Sequence, residues 1–296
     1  GNELVAACAA SGTDYVDLCG EPTWMRHMID AHAAAAQASG ARIVFSCGFD
    51  SIPFDLGVLF LQNAIIAETG APAARIKGRV RKMVGGASGG TVASMKATMA
   101  AAARDFSLLG LLKNPFALTP GFEGPAQPLG LMPEHDSVTG LWAAPFIMAP
   151  INTKNVHRTN ALLNHRYGTD FKYDEMMFTS IGDVGKAMAE GIAKMNPFGD
   201  QQSLKPGDGP SKEERENGHY DILFIAEDTR GKPWKAAVKG DRDPGYGSTS
   251  KMIAEAALCL CETESQGGFW TPGAVMGDAL LTRLPQKAGL SFSLET

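Results

Sequence analysis

The turn Cys47-Gly48-Phe49-Asp50-Ser51-Ile52-Pro53 holds residue types suited to grip a small ligand. Gly48 breaks an apolar run, and Asp50 or Ser51 can cap the helix that follows. Pro53 falls in that helix's first turn, where a missing N–H costs nothing because the group has no intrahelical partner. A strand, a polar turn and a capped helix make half of a βαβ unit. In open α/β sheets ligands sit in such turns, at the carboxyl ends of strands. A plain strand-to-helix turn with no ligand is the alternative, and the spacing alone does not choose between them. A second stretch, Gly85-Gly86-Ala87-Ser88-Gly89-Gly90, precedes a helix that starts at Thr91. Bare N–H groups and a helix dipole there would suit a phosphate or carboxylate. The stretch matches neither GxxxxGK[ST] nor GxGxxG, and its glycines serve equally to let the backbone pass close to another element. The five cysteines, Cys8, Cys19, Cys47, Cys259 and Cys261, form no CxxC and no zinc-spaced Cys/His array, so no metal is expected. His157, on a helix expected over residues 155–163, reads as a surface or satisfied polar residue.

The elements that would position these residues read as α/β. Residues 42–47 form a short apolar run with β-branched members, the composition of a strand buried on both faces. Leu56, Leu59, Phe60 and Ile65 then fall near a helical period. Upstream, residues 2–10 read as helix, 15–18 as strand and 24–39 as helix, with Ser11-Gly12, Gly20-Glu21-Pro22 and Gly40 as joints. That alternation with short Gly-marked joints belongs to a parallel doubly wound sheet. Two strands with nothing before them make too small a sheet. Either they join a sheet completed by later segments, or they are neighbours in a wider sheet whose front portion this chain has lost; the second is the expectation.

Residues 75–84 alternate polar and apolar, as a strand with one wet face does, and residues 91–104 read as helix. Residues 106–118 and 141–151 are apolar and broken by Pro115, Pro145 and Pro150; core or interface is the expectation, ahead of a greasy pocket. Residues 177–194 read as helix or mixed structure, and residues 196–218 as largely loop with a solvated charge run. A hairpin is expected over 220–227 and 232–239, then a rigid loop Asp243-Pro244-Gly245-Tyr246-Gly247, a helix over 249–261, a helix from the Thr271-Pro272 cap to 284, and an edge strand over 290–294. With 296 residues, 44% hydrophobic and 20% charged, the chain is globular in composition. A net charge of −5 argues against nucleic acid or an anionic membrane as the main partner. Scattered, odd-numbered cysteines fit a reducing cytoplasm. No stretch is read as reaching the roughly 18 apolar residues of a membrane span.

Several blocks, taken in order, resemble the saccharopine dehydrogenase-like oxidoreductases, in the branch of the trans-acting enoyl reductases. They are Tyr15-Val16-Asp17-Leu18-Cys19-Gly20-Glu21, the run from Cys47 to Gly57, Ser88-Gly89-Gly90-Thr91, Ala149-Pro150-Ile151-Asn152, Lys205-Pro206-Gly207-Asp208-Gly209-Pro210, Asp243-Pro244-Gly245-Tyr246-Gly247, and Gly267-Gly268 with Thr271-Pro272. The resemblance implies an α/β chain made of the C-terminal half of a Rossmann-type parallel sheet plus a mixed α+β second domain. Residues 1–70 would form the first and residues 71–248 a substrate and dimerisation domain. Residues 249–296 would supply helices and a strand returning to the Rossmann-like part. The implied activity is hydride transfer from NAD(P) to a C=C or C=N bond of an apolar small molecule.

In that reading Gly48, Phe49, Ser51 and Pro53 lie at the cofactor, with Asp50 and Tyr246 as catalytic groups, Tyr246 as proton donor. Ser88, Gly89, Gly90, Thr91 and Asn152 face the substrate. The family's Gly-rich dinucleotide loop has no counterpart in the sequence, so this polypeptide is expected to bind dinucleotide poorly or not at all although its parent would. The expected partner set is an apolar substrate and a second copy in a homodimer, without nucleic acid and with lipid or membrane association left open. The competing reading is a non-catalytic dimerisation or lipid-associated scaffold with a reductase-like shell.

Overall fold

The computed structural model describes residues 1–86, 88–195 and 204–296. Its first third runs α1 (Asn2–Ser11), β1 (Tyr15–Val16), α2 (Pro22–Ser39), β2 (Arg42–Val44) and α3 (Ile52–Thr69), the order expected. β1 and β2 are parallel neighbours, with Tyr15 beside Ile43 and Val16 beside Val44. Both strands are shorter than expected because side-chain hydrogen bonds, described below, pull the chain out of the ladder after Val16 and Val44. A third parallel strand, β9 (Gly268–Trp270), joins the other edge of β2. Three residues carry too short a pattern to announce a strand, and the sequence reading had none there.

The second sheet has seven strands. In spatial order they are β10 (Leu290–Glu295), β8 (Pro233–Gly240), β7 (His219–Glu227), β3 (Arg75–Val84), β6 (Lys172–Ile181), β5 (Leu141–Pro145) and β4 (Glu134–His135). Only β3 and β6 pair in parallel. β3, the β7–β8 hairpin and the edge strand β10 stand where the sequence placed them. Of the segment expected to return to the Rossmann-like part, β9 does so, whereas β10 pairs with β8 of the larger sheet.

Three differences follow from tertiary context. Residues 177–181, expected as helix or mixed structure, extend β6, and α7 (Gly182–Lys194) starts only after it. The Met-rich composition favours helix, but pairing with β3 and β5 on both sides decides for strand. The expected loop over 196–218 contains α8 (Lys212–Asn217), held by a capping box in which Ser211 and Glu214 satisfy each other's backbone N–H. Residues 196–203 of that stretch, and Ala87 of the glycine loop, lie outside the described residues. The helix expected from 155 begins earlier, as α6 (Ala149–Leu162), because Pro150 fits its first turn. α4 (Gly89–Arg104), α5 (Ser107–Lys113), α9 (Thr249–Glu262) and α10 (Pro272–Lys287) complete the helices.

α3 joins the two sheets. It leaves the carboxyl end of β2 and lies on β7 and β8, with Gly57 so close to Phe224 that a Cβ would come within 2.3 Å of the ring. Contrary to the sequence reading, α3 is long and apolar enough to cross a membrane by length and composition. Here that apolarity is used internally: Phe54, Leu56, Val58, Leu59, Leu61 and Ile65 are all buried. One core runs without a break from Val44 and Cys47 through α3 to Ile222, Phe224, Ala236 and Val238. The turn ahead of α3 therefore sits at the seam between the sheets.

Candidate functional site

The seam is built from the carboxyl end of β2 outward. Asp17 Oδ1 accepts from the N–H groups of Cys19 (2.9 Å) and Ser46 (3.2 Å), and the Asp17 carbonyl accepts from Cys47 N–H (2.7 Å). Ser46 consequently takes φ +59°, uncommon for a residue with a side chain. Burial pushes the Asp17 carboxyl up to about 6. At Gly48 a Cβ would lie 2.7 Å from Leu18 Cδ2 and 3.0 Å from Thr249 Cγ2, so the close neighbours it admits are the protein's own side chains. Phe49 N–H donates to Thr249 Oγ1 (2.9 Å), and its ring packs edge-on against Phe54 and Tyr220. Pro53 occupies the first turn of α3. Ser51 stands at the N-cap without using its side chain to cap; its Oγ accepts from Asn155 Nδ2 at 2.8 Å instead. Asp50 is half-buried, its Oδ1 is shielded from solvent with no partner, and burial pushes its carboxyl up to about 7.

The other wall is α6, whose buried residues are mostly polar. Asn152 Nδ2 donates to Glu175 Oε2 (2.9 Å), Asn155 holds Ser51, and Thr159 pairs with Thr271 at 2.6 Å. Asn152, Asn155 and Thr159 fall three and four residues apart, so they share one helix face. Arg158 donates to the carbonyls of Leu118 and Phe269, which ties α6 to β9. Asp55, in the first turn of α3, accepts from Gly273 N–H (2.8 Å) at the start of α10 and is pushed up to about 7 by burial. Lys154 is buried and donates to the carbonyls of Leu112 (3.0 Å) and Pro150 (2.9 Å); burial lowers it to about 8. His157 departs from the sequence reading. It is buried between Phe116 and Phe171, its Nε2 has no partner, and burial with the Lys154 charge lowers it to about 3.

Glu175 is the site residue the sequence reading missed, since β6 itself was missed. It is 1% exposed, and its Oε1 has no partner. Burial, with the Asp50 and Asp174 charges adding, raises its carboxyl well above the usual range against the opposing Asn152 and Tyr173 contacts. Tyr173, two residues back on the same face of β6, is fully buried beside it. Across on β3, Gly78 makes the room: a Cβ there would stand 2.7 Å from Tyr173 Oη and 3.2 Å from Glu175 Cγ. On the opposite face Arg79 and Asp174 form a buried pair at 2.8 Å. The signal available in the sequence was the adjacent acids Asp174 and Glu175 between Phe171, Tyr173 and the apolar Met176-Met177-Phe178.

The remaining expected site residues have other partners. Ser88 caps α4 by accepting from Thr91 N–H (3.1 Å). Gly89 donates to the Asp208 carbonyl (2.9 Å), and a Cβ there would come 1.7 Å from the Lys205 carbonyl oxygen. The glycine loop thus admits a neighbouring backbone, the second of its two sequence readings. Gly90 is exposed and Thr91 half-buried. Tyr246 lies in a short π-helical turn, 244–248, where a loop was expected, and donates to the Asp208 carbonyl (3.2 Å). It lines a shallow cavity of about 350 Å³ with Gly209, Arg215 and Ser250. A larger cavity of about 550 Å³, beside Gln37, Gly267 and Trp270, opens at the amino ends of β2 and β9. That is the end of a parallel sheet opposite to the one where ligands sit.

The fold is thus α/β, with a parallel Rossmann-type sheet and a mixed seven-stranded sheet meeting at a buried polar seam. Known proteins narrow this further. A Mycobacterium tuberculosis protein assigned as a trans-acting enoyl reductase is 41% identical over 99% of this chain and 76% of its own length. A trans-acting enoyl reductase of Mycobacterium ulcerans is 37% identical over 97% of this chain and 75% of its own. A second from Mycobacterium tuberculosis is 34% identical over 96% and 75%. The chain belongs to the trans-acting enoyl reductase family and is an oxidoreductase by that membership. No family model matches it. Among solved structures, saccharopine dehydrogenase (L-Glu forming) from Saccharomyces cerevisiae overlays with a TM-score of 0.48 at 10% identity, over 99% of this chain and 82% of the other.

Proposed function

We propose that the chain shapes the reacting end of an NAD(P)-dependent reductase that saturates a C=C or C=N bond of an apolar substrate. The observation that carries the reading is Asp50: a carboxyl at the carboxyl end of a parallel strand, with a shielded, unpaired oxygen. An orphan acceptor there fits the ring end of a nicotinamide, whose amide is a donor. Gly48, Phe49, Ser51 and Pro53 would hold that end. When bound, the reduced nicotinamide supplies a hydride. The chain's residues supply the rest. Thr249 fixes the backbone at Phe49, Asn155 fixes Ser51, and the apolar cluster behind them excludes water. Asp50, poised near neutrality, can give up a proton to the carbon next to the one that accepts hydride. That role passes from Tyr246, whose hydroxyl is bonded to Asp208, to Asp50. Asn152 serves the same seam through Glu175, while Ser88, Gly89, Gly90 and Thr91 would border the substrate from the second sheet's side. A cytoplasmic homodimer belongs to the same proposal.

The scaffold reading draws less support. Of the stretches it would need as contact surfaces, Phe116, Leu118, Ala143, Ala144, Phe146 and Ile151 are buried within this chain, while Phe106 and Leu109 are exposed. The test is NADPH oxidation by the full-length protein with α,β-unsaturated acyl thioesters, comparing wild type with Asp50→Ala. We expect oxidation matched by saturated product, and a loss in kcat on the order of 100-fold in the variant. No oxidation, or an unchanged rate in the variant, defeats the proposal.

A further inference from the structure

Phe49 is held at two places by one stretch of chain. Its N–H donates to Thr249 Oγ1 at 2.9 Å. Its ring stands edge-on to Tyr220 of β7, whose hydroxyl pairs with Ser248 Oγ at 2.9 Å. Ser248 and Thr249 are consecutive, at the join of the π-helical turn 244–248 and α9. The sense of the Thr249 bond is settled by counting hydrogens. A hydroxyl has one, and here it goes to the Pro244 carbonyl at 2.7 Å, which leaves only lone pairs toward Phe49. The join is itself tied down. Asp243 is fully buried and its carboxylate accepts from Tyr246 N–H (3.0 Å) and Gly247 N–H (2.7 Å). Its carbonyl accepts from Ser248 N–H (2.9 Å), the i to i+5 bond of a π-helical turn. Gly85, just past β3, lies against the same turn: a Cβ there would come 2.8 Å from Asp243 Cβ and 2.9 Å from Pro244 Cδ.

Asp50 therefore stands between two tethered neighbours. On one side Ser51 is held through its side chain by Asn155 of α6. On the other, Phe49 is held through its backbone, so the Thr249 bond acts on the main chain itself, one residue from the acid. We propose that Thr249 is the positioning residue for Asp50: its hydroxyl, oriented by the Pro244 carbonyl, fixes the main chain at Phe49 and so the place of the Asp50 carboxyl. The inference rests on the reductase reading for what Asp50 does, and goes beyond it in naming what aims that acid. Tyr220 and Gly85 belong to the second sheet, so the acid's place is set relative to the side from which Ser88 to Thr91 would border the substrate. Misplacing a reacting group by about 1 Å costs on the order of 100-fold in rate, and a turn released at Phe49 gains that latitude.

The test has two arms on the full-length protein. Hydrogen exchange at the Phe49 amide, read by NMR on protein labelled at phenylalanine nitrogen, tests the bond directly. The wild-type amide should be protected, Thr249→Val should speed its exchange about tenfold or more, and Thr249→Ser should leave it slow. An unprotected Phe49 amide in the wild type overturns the proposal without recourse to any variant. The kinetic arm follows NADPH oxidation with α,β-unsaturated acyl thioesters. Thr249→Val should lower kcat about tenfold or more and enlarge the solvent deuterium isotope effect on kcat, because delivery of the proton becomes the slow step. Thr249→Ser should restore both. A variant that merely folds less well has fewer active molecules and keeps the wild-type isotope effect. That outcome, or a Thr249→Val enzyme within about twofold of wild type in kcat, overturns the positioning role. If the wild type reduces no substrate, the reductase reading fails and the role falls with it, while the exchange arm still shows whether the hydroxyl holds the turn.

Discussion

Asp55 is the carboxyl whose behaviour the structure sets most tightly. It is 1% exposed, sits between the first turns of α3 and α10, and accepts a 2.8 Å bond from Gly273 N–H. Burial lifts it from 3.8 to about 7, against the weaker opposing contacts with Thr159 and Gly273. The folded state therefore binds more protons than the unfolded state between those two values, and stability falls as pH rises through that window. At about 1.4 kcal/mol per pH unit, the span is worth up to about 4 kcal/mol, fully present as stability below pH 4 and lost above pH 7. Asn at this position keeps the acceptor for Gly273 and has no charge to bury. Asp55→Asn should thus gain on wild type as pH rises, and the gain at pH 8 should exceed that at pH 4 by about 2–4 kcal/mol. Because the comparison is between two pH values, a constant change in hydrogen bonding from the substitution cancels. Urea unfolding of both proteins at pH 4, 6 and 8 measures it. Equal differences at the three pH values, or a variant that loses ground at pH 8, would refute the claim that burial holds this carboxyl near neutrality.

Three more outcomes are expected. Ser51→Ala should cost about 1–3 kcal/mol in chemical unfolding, because Asn155 Nδ2 loses its acceptor inside the fold; a change under half a kilocalorie would mean the bond is not made. Gly89→Ala should lower the melting temperature clearly, by an amount in keeping with overpacking costs of about 1–3 kcal/mol or more, since its Cβ would overlap the Lys205 carbonyl; a wild-type melt would reopen the anion-loop reading. Lys154, lowered by burial from 10.5 to about 8, binds fewer protons folded than unfolded between those values, so its share of stability rises with pH across pH 8–10.5. Lys154→Met should flatten the stability curve there, and an unchanged slope in the variant would contradict the assignment.

How much was legible beforehand differs by element. The residues of β3, of the β7–β8 hairpin and of α1, α2, α9 and α10 could be placed from periodicity and caps alone, because each carries a long pattern or a Gly, Pro or Thr at its end. The turn from Gly48 to Pro53 was visible for the same local reasons, as was the pairing of its strand with the one before it. β6, β9 and α8 were not. β6 is rich in helix-favouring residues, β9 has three residues, and α8 sits in a run whose composition suits a loop.

The chemistry divides along the same line. The sequence by itself determined that a strand, a glycine, an acid and a Pro-started helix follow one another, so Asp50 had to stand at the end of a buried strand. It also held a helix from residue 155, though not that helix's earlier start at Ala149. It could not say that the polar face of that helix is buried. Asn152, Asn155 and Thr159 form a stripe that looks like a solvent face until Glu175, Ser51 and Thr271 arrive opposite it from residues up to 112 positions away. Polar side chains are recognised as buried only through their partners, and those partners come from separate strands and turns. The environment that lifts the Asp50, Asp55 and Glu175 carboxyls is likewise a property of the packed seam, since desolvation depends on everything that surrounds a group and not on its neighbours in the chain.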